Sequence, residues 1–92
     1  MEKNTILLTF SSGNPLAVTN LGERLRNIFP EWAQLNGFTY VIRTEKDVNE
    51  VRDLARMVLI SGDDRIFAVN IHGRNWSAFL PERINNFLSE VI

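Results

Sequence analysis

Asp63 and Asp64 stand side by side. Paired carboxylates can hold a hard divalent cation or run acid–base chemistry. Set just before the apolar run that starts at Arg65, the pair also suits a turn, because aspartate side chains accept hydrogen bonds from nearby backbone N–H groups. The turn is the reading adopted. His72 is the single histidine. An imidazole serves as a base or a pH switch when a partner orients it. Its neighbours Ile71 and Gly73 supply none, so an exposed or locally bonded ring is expected. Ser11-Ser12-Gly13-Asn14-Pro15 places small residues before a helix start, where backbone N–H groups attract anions. It lacks the spacing and the lysine of a phosphate loop and reads as a connection. The chain has no cysteine, which excludes disulfides, cysteine zinc sites and thiol catalysis. One histidine excludes multi-histidine metal sites. No catalytic residue, no metal ligand and no cofactor is assigned, and the chain is read as leaning away from an enzyme.

The arginines are the remaining chemistry. Eight of the ten basic residues are arginine, and eleven acidic residues offset them to a net charge of −1. That balance excludes nucleic-acid binding by bulk charge and leaves only a local patch. Arg52 and Arg56 share a helix face with Glu50 and Asp53, and Arg24 and Arg26 have Glu23 beside them, so both groups read as solvated mixed faces. Arg43, Arg65 and Arg74 stand near strand ends, where a small cluster for nucleic-acid contact would form.

These side chains must be carried by a single domain, because 92 residues allow no more. Thr5 to Phe10 is short, apolar and free of breakers, as a strand requires. Asn14 before Pro15 is an N-cap followed by proline at the first helical position. Val18, Leu21, Leu25, Ile28 and Phe29 then recur at helical spacing until Pro30. Glu31 to Leu35 and Phe38 to Thr44 flank Asn36-Gly37, a strong hairpin signal whose favoured turn needs positive φ at both residues. Thr44 and Asp47 have capping-box spacing ahead of a helix with Val48, Val51, Ala55, Val58 and Leu59 on one stripe. Ser61-Gly62-Asp63-Asp64 stops it. Arg65 to Ile71 is a fourth strand, Gly73 begins a turn, and a last helix from about Pro81 carries Ile84, Phe87, Leu88 and Val91. The order β-α-β-β-α-β plus a terminal helix predicts one α+β domain over residues 1–92, a ferredoxin-like βαββαβ sandwich with a four-stranded antiparallel sheet. No apolar run approaches the length of a membrane span. Ile6-Leu7-Leu8 is too short for a signal peptide. A cytoplasmic protein with no membrane partner is expected.

A two-residue turn at Asn36-Gly37 sets Trp32 opposite Val41 and Ala33 opposite Tyr40. Keeping Arg43 out of the core then sends Tyr40 and Ile42 toward the helices and Trp32, Thr39 and Val41 away from them. The same alternation turns Ile6, Leu8, Phe10, Phe67, Val69 and Ile71 inward, and Leu7, Ile66 and Ala68 outward. An outer face holding Leu7, Trp32, Thr39, Val41, Ile66 and Ala68 is too apolar to be left in water. Two covers are open, a second copy of the chain or the C-terminal helix. The frequency of two-fold dimers favours the second copy.

Phe38-Thr39-Tyr40-Val41-Ile42-Arg43-Thr44, Val51-Arg52-Asp53-Leu54, Asp63-Asp64-Arg65-Ile66-Phe67-Ala68-Val69 and Ile71-His72-Gly73-Arg74-Asn75-Trp76 together resemble the small CRISPR-associated Cas-two proteins and their SinR-like relatives. The resemblance spans most of the chain in order and spacing, and it implies a ferredoxin-like homodimer. Nuclease-type members of that family carry an aspartate after the first strand, proposed to hold a divalent metal. The matching place here reads Phe10-Ser11. A serine hydroxyl without carboxylates beside it is a poor ligand for such an ion.

Asn36-Gly37-Phe38-Thr39-Tyr40-Val41-Ile42-Arg43 also resembles the aromatic octapeptide of RNA-recognition domains, without its leading basic residue and its final aromatic. The expectation is a non-catalytic, homodimeric, Cas-two-like or SinR-like protein with an interaction or nucleic-acid-associated accessory role and a nucleic-acid or protein partner. The alternatives are an RNA-recognition-type single-strand binder and a residual metal-dependent nuclease. Trp76 is expected as a hydrophobic anchor in the turn before the last helix.

Overall fold

The computed structural model describes residues 3–58 and 64–92. The elements run β1 (Asn4–Ser11), α1 (Pro15–Ile28), β2 (Glu31–Asn36), β3 (Thr39–Thr44), α2 (Val48–Arg56), β4 (Arg65–Asn70) and α3 (Glu82–Val91). The strands form one antiparallel sheet in the order β2-β3-β1-β4. The result is an α+β fold with three helices, compatible with a small ferredoxin-like arrangement.

Local chemistry sets the helix ends. Asn14 caps α1 through its side-chain oxygen on the Leu16 N–H at 3.0 Å, with Pro15 at the first position. The capping box of α2 lies one turn later than its sequence spacing suggested. Asp47 accepts from the Glu50 N–H at 2.9 Å and Glu50 reaches back to the Asp47 N–H, while the Thr44 hydroxyl accepts from the Lys46 N–H. The Ser61 to Asp63 part of the helix stop, and Leu59 at the end of the stripe, lie outside the described residues.

The main core lies between the sheet and α1 and α2. Ile6, Leu8, Phe10, Tyr40 and Ile42 meet Leu21, Leu25 and Phe29 of the first helical segment and Val51 and Ala55 of the second. Gly22, inside α1, has a packing reason. A Cβ there would sit 2.8 Å from the Tyr40 hydroxyl oxygen, which also accepts a hydrogen bond from Arg26 Nη1 at 2.8 Å. Tyr40 itself is held between Phe10 and Trp32, with ring centroids 6.3 and 6.2 Å away.

Two sidedness expectations are corrected. The hairpin does not use positive φ at Asn36 and Gly37, since Gly73 has the one positive φ among the described residues. Instead the Asn36 side-chain oxygen accepts from the Phe38 N–H at 2.8 Å, Asn36 pairs with Thr39, and Leu35 becomes an extra residue between the pairs Gln34–Tyr40 and Asn36–Thr39. A bulge of one residue reverses which face every preceding side chain takes. Trp32 therefore pairs with Ile42 and packs beside Tyr40 on the helix side, while Ala33 pairs with Val41.

In β4 both alternating sets are apolar, so the pattern carries no decisive phase. The structure puts Ile66 and Ala68 against the main core and leaves Phe67 and Val69 on the outer face. Ala68 is the smallest of these side chains, and its place is beneath the helix layer, where α2 packs on β4.

Candidate interaction surface

The outer sheet face is built in three rows. Arg43 of β3 pairs with Thr5, next to Ile71, whose N–H bonds to the Thr5 carbonyl at 2.7 Å. Ala33, Val41, Leu7 and Val69 form the second row, and Thr39, Thr9 and Phe67 the third. The first two rows are largely covered from within the chain. Val41, 1% exposed, packs with Leu88 and Val91 of α3, and Leu7, Leu35, Ile71, Leu80, Ile84, Phe87 and Ile92 close around them. Burial of this kind contributes about 1.5–3 kcal/mol for each large apolar side chain.

The C-terminal end of α3 is clasped through its main-chain carbonyls. The Thr5 hydroxyl donates to the Val91 carbonyl, and the Gly73 N–H donates to the Ile92 carbonyl at 2.7 Å. His72 places Nδ1 3.4 Å from the Val91 carbonyl. His72 is exposed, one of the two outcomes expected of it, and sits at the seam between the strand end and the last helix.

The third row is half-buried at Thr9 and Thr39 and bare at Phe67. The Thr9 and Thr39 hydroxyls bond to each other at 3.1 Å, and Phe67 beside them is 60% exposed. A shallow hollow of about 180 Å³ at this end is lined by Thr9, Phe10, Ser11, Arg65, Ile66 and Phe67. Val69 is half-open at the margin of the second row. Of the six residues expected on an uncovered face, Leu7 and Val41 lie on it beneath α3, Thr39 lies in the third row, and Trp32, Ile66 and Ala68 belong to the opposite layer. Sequence reasoning missed Phe67 and Val69, which it turned inward, while it placed Thr9 outward as the structure does. The signal that could have found the missed pair is the size of the apolar residues in the other phase of β4.

The three arginines do not converge. Arg43 pairs with Thr5 at one end of β1, whereas Arg65 pairs with Ser11 at the other end. Six residue steps of strand separate these ends by roughly 20 Å. Arg43 is also engaged, with Nε 3.7 Å from Glu31. Arg74 lies past β4, with its N–H bonded to the Ile71 carbonyl. Glu31 takes Lys3 as its closer partner at 2.9 Å. That hydrogen bond, aided by the positive charges of Lys3 and Arg43 against some desolvation, holds its carboxyl below the usual 4.5.

Three other carboxylates are committed to local structure. Asp47 and Glu50 form the capping box, and Asp53 pairs with Arg52 at 3.0 Å. Among the described residues no three of His, Cys, Asp and Glu gather where they could hold a metal ion. Tyr40, 1% exposed, is turned to the helices as expected, so the octapeptide does not present it as a stacking platform. Phe38 is half-exposed and edge-on to Phe10, with ring centroids 6.4 Å apart. Trp76 is 40% exposed, and Phe79 nearby in sequence is fully exposed. No helix among the described residues is long and apolar enough to cross a membrane. The chain is thus a small α+β protein that exposes apolar side chains on β4. No family model, curated protein or solved structure matches it.

Proposed function

We propose that this protein is a non-catalytic, ferredoxin-like interaction protein that works as a homodimer, in the accessory role that the Cas-two and SinR-like resemblance implies. The observation that carries the reading is the outer face of β4. Phe67 and Val69 are exposed on a strand whose only described pairing is with β1. A free strand edge is a template for another strand. A strand pairing antiparallel with its own copy is two-fold symmetric by construction, which makes a second copy the fitting occupant. A register centred on Ala68 sets Phe67 of each copy opposite Val69 of the other. Aromatic and β-branched residues opposed in this way contribute about 0.2–1 kcal/mol per pair. The third row then flanks the seam. The carboxylates described above serve caps and surface pairs, which supports interaction rather than catalysis.

Light scattering coupled to gel filtration tests the proposal. The wild type should run as a dimer. Phe67→Glu and Val69→Lys, both at exposed positions, should run as folded monomers with unchanged far-UV circular dichroism. A wild type that is monomeric at its highest soluble concentration refutes the proposal, as does a dimer unaffected by either substitution.

A further inference from the structure

At the opposite margin of the sheet lies a groove of about 660 Å³, lined by Trp32, Ala33, Gln34, Asn36 and Gly37 on one side and Arg83, Ile84 and Phe87 of α3 on the other. Trp32, Ala33 and Gln34 are consecutive, and side chains of consecutive strand residues point to opposite faces. All three can line one hollow only if it runs along the edge of β2. Among the described residues that edge is free, because β2 pairs with β3 alone. Its outward N–H and C=O groups have no described strand to bond.

The groove has the size and mixture of a ligand site, with an apolar wall and a few polar groups. Ile84, Phe87 and Ala33 supply the apolar part, and Gln34 and the Trp32 indole offer polar ends. Arg83 is the one charged residue of the lining among the described residues. It makes no hydrogen bond or ion pair among the described residues. The carboxylate of Glu31, one residue before Trp32, is occupied by Lys3 and Arg43.

From this we infer that the groove binds an extended acidic peptide, which adds a strand to the free edge of β2 and sets a carboxylate against Arg83. Backbone hydrogen bonds to β2 would give affinity. Peptide side chains on one face would lie against Ile84 and Phe87, and those on the other face against Trp32. The bulge at Leu35 ends regular pairing, so the docked stretch covers Glu31 to Gln34, a span of about 10 Å. Arginine suits the contact because its planar fork matches a carboxylate. The site is separate from β4 and does not depend on the proposed dimer.

The test is selection from a phage-displayed library of random octapeptides on the immobilised full chain, followed by synthesis of the enriched sequence. Enriched peptides should alternate apolar residues with at least one aspartate or glutamate. Methylating alternate backbone nitrogens on the pairing side should abolish binding. Arg83→Glu should weaken the acidic peptide by about tenfold or more and favour its lysine counterpart. Phe67→Glu should bind it like the wild type, which separates this result from the fate of the dimer. The inference is overturned by no enrichment, by enrichment without acidic residues, by full binding of the methylated peptide, or by an Arg83→Glu variant with unchanged preference.

Discussion

Replacing Gly22 by alanine should change sign with the residue at position 40. In an exposed helix the exchange stabilises by about 1 kcal/mol, since alanine loses less backbone entropy than glycine. Here the new Cβ would lie 2.8 Å from the Tyr40 hydroxyl and 3.1 Å from Arg26 Nη1. The arginine end can swing away. The tyrosine cannot, because its ring is 1% exposed and held between Phe10 and Trp32. Overpacking at a fixed site costs about 1–3 kcal/mol. Gly22→Ala should therefore be neutral to destabilising by about 2 kcal/mol in the wild type. Tyr40→Phe alone loses the Arg26 bond and costs about 1 kcal/mol. In that background the oxygen is gone, and Gly22→Ala should stabilise by about 1 kcal/mol. Urea unfolding of the four proteins reads the coupling. A slope of about 1–2 kcal/mol per molar converts each kilocalorie into a midpoint shift of about 0.5–1 M. Equal stabilisation by Gly22→Ala in both backgrounds would refute the claim that the hydroxyl excludes a side chain there.

Leu88→Ala should cost about 2–5 kcal/mol, because Leu88 is 3% exposed against Val41; thermal unfolding measures it, and a loss under about 1 kcal/mol would mean that α3 does not cover the face. Thr5→Val removes the hydroxyl that holds Val91 and should speed amide hydrogen exchange at the end of α3 before it affects α1. Asp47→Ala should lower stability by about 1 kcal/mol through the lost cap of α2, read by denaturant midpoint. Glu31 should titrate below 4.5 by carbon-13 NMR, and Lys3→Ala should move it back up. Because the folded carboxyl is the depressed one, its contribution is present above 4.5 and is lost as pH falls through the folded value. A Glu31 titration unmoved by Lys3→Ala would refute that cause.

Elements with one strong period were legible in the sequence. Asn14-Pro15 and the Leu21, Leu25, Phe29 stripe fixed α1 almost to the residue, and Ile84, Phe87, Leu88 and Val91 did the same for α3. The alternation of β1 and β3 also put the right residues inward, because Arg43 and the threonines on one side contrast with Ile6, Leu8, Tyr40 and Ile42 on the other. Sidedness failed where that contrast was missing. Leu35 is an apolar residue that slips out of register without any composition signal, and it carries Trp32 to the other face. In β4 Ile66 and Phe67 compete on nearly equal terms, and only the helix layer above decides. The cover of the outer face could not be read from composition either, because the stripe of α3 would suit this sheet or another copy's equally well. The candidate surface inherited these errors, and the bare end of the third row at Phe67 became visible only with the register known.

The bond from Thr5 to Val91 joins residues 86 positions apart, and β1 needs both β3 and β4 as neighbours. β1 is thus made before both of its neighbours in the sheet and has to wait for β3, β4 and α3 to emerge. Contacts of such long sequence separation slow folding and make it cooperative. A nascent chain halted before α3 would present Leu7 and Val41 uncovered, which makes chaperone capture or aggregation its expected fate.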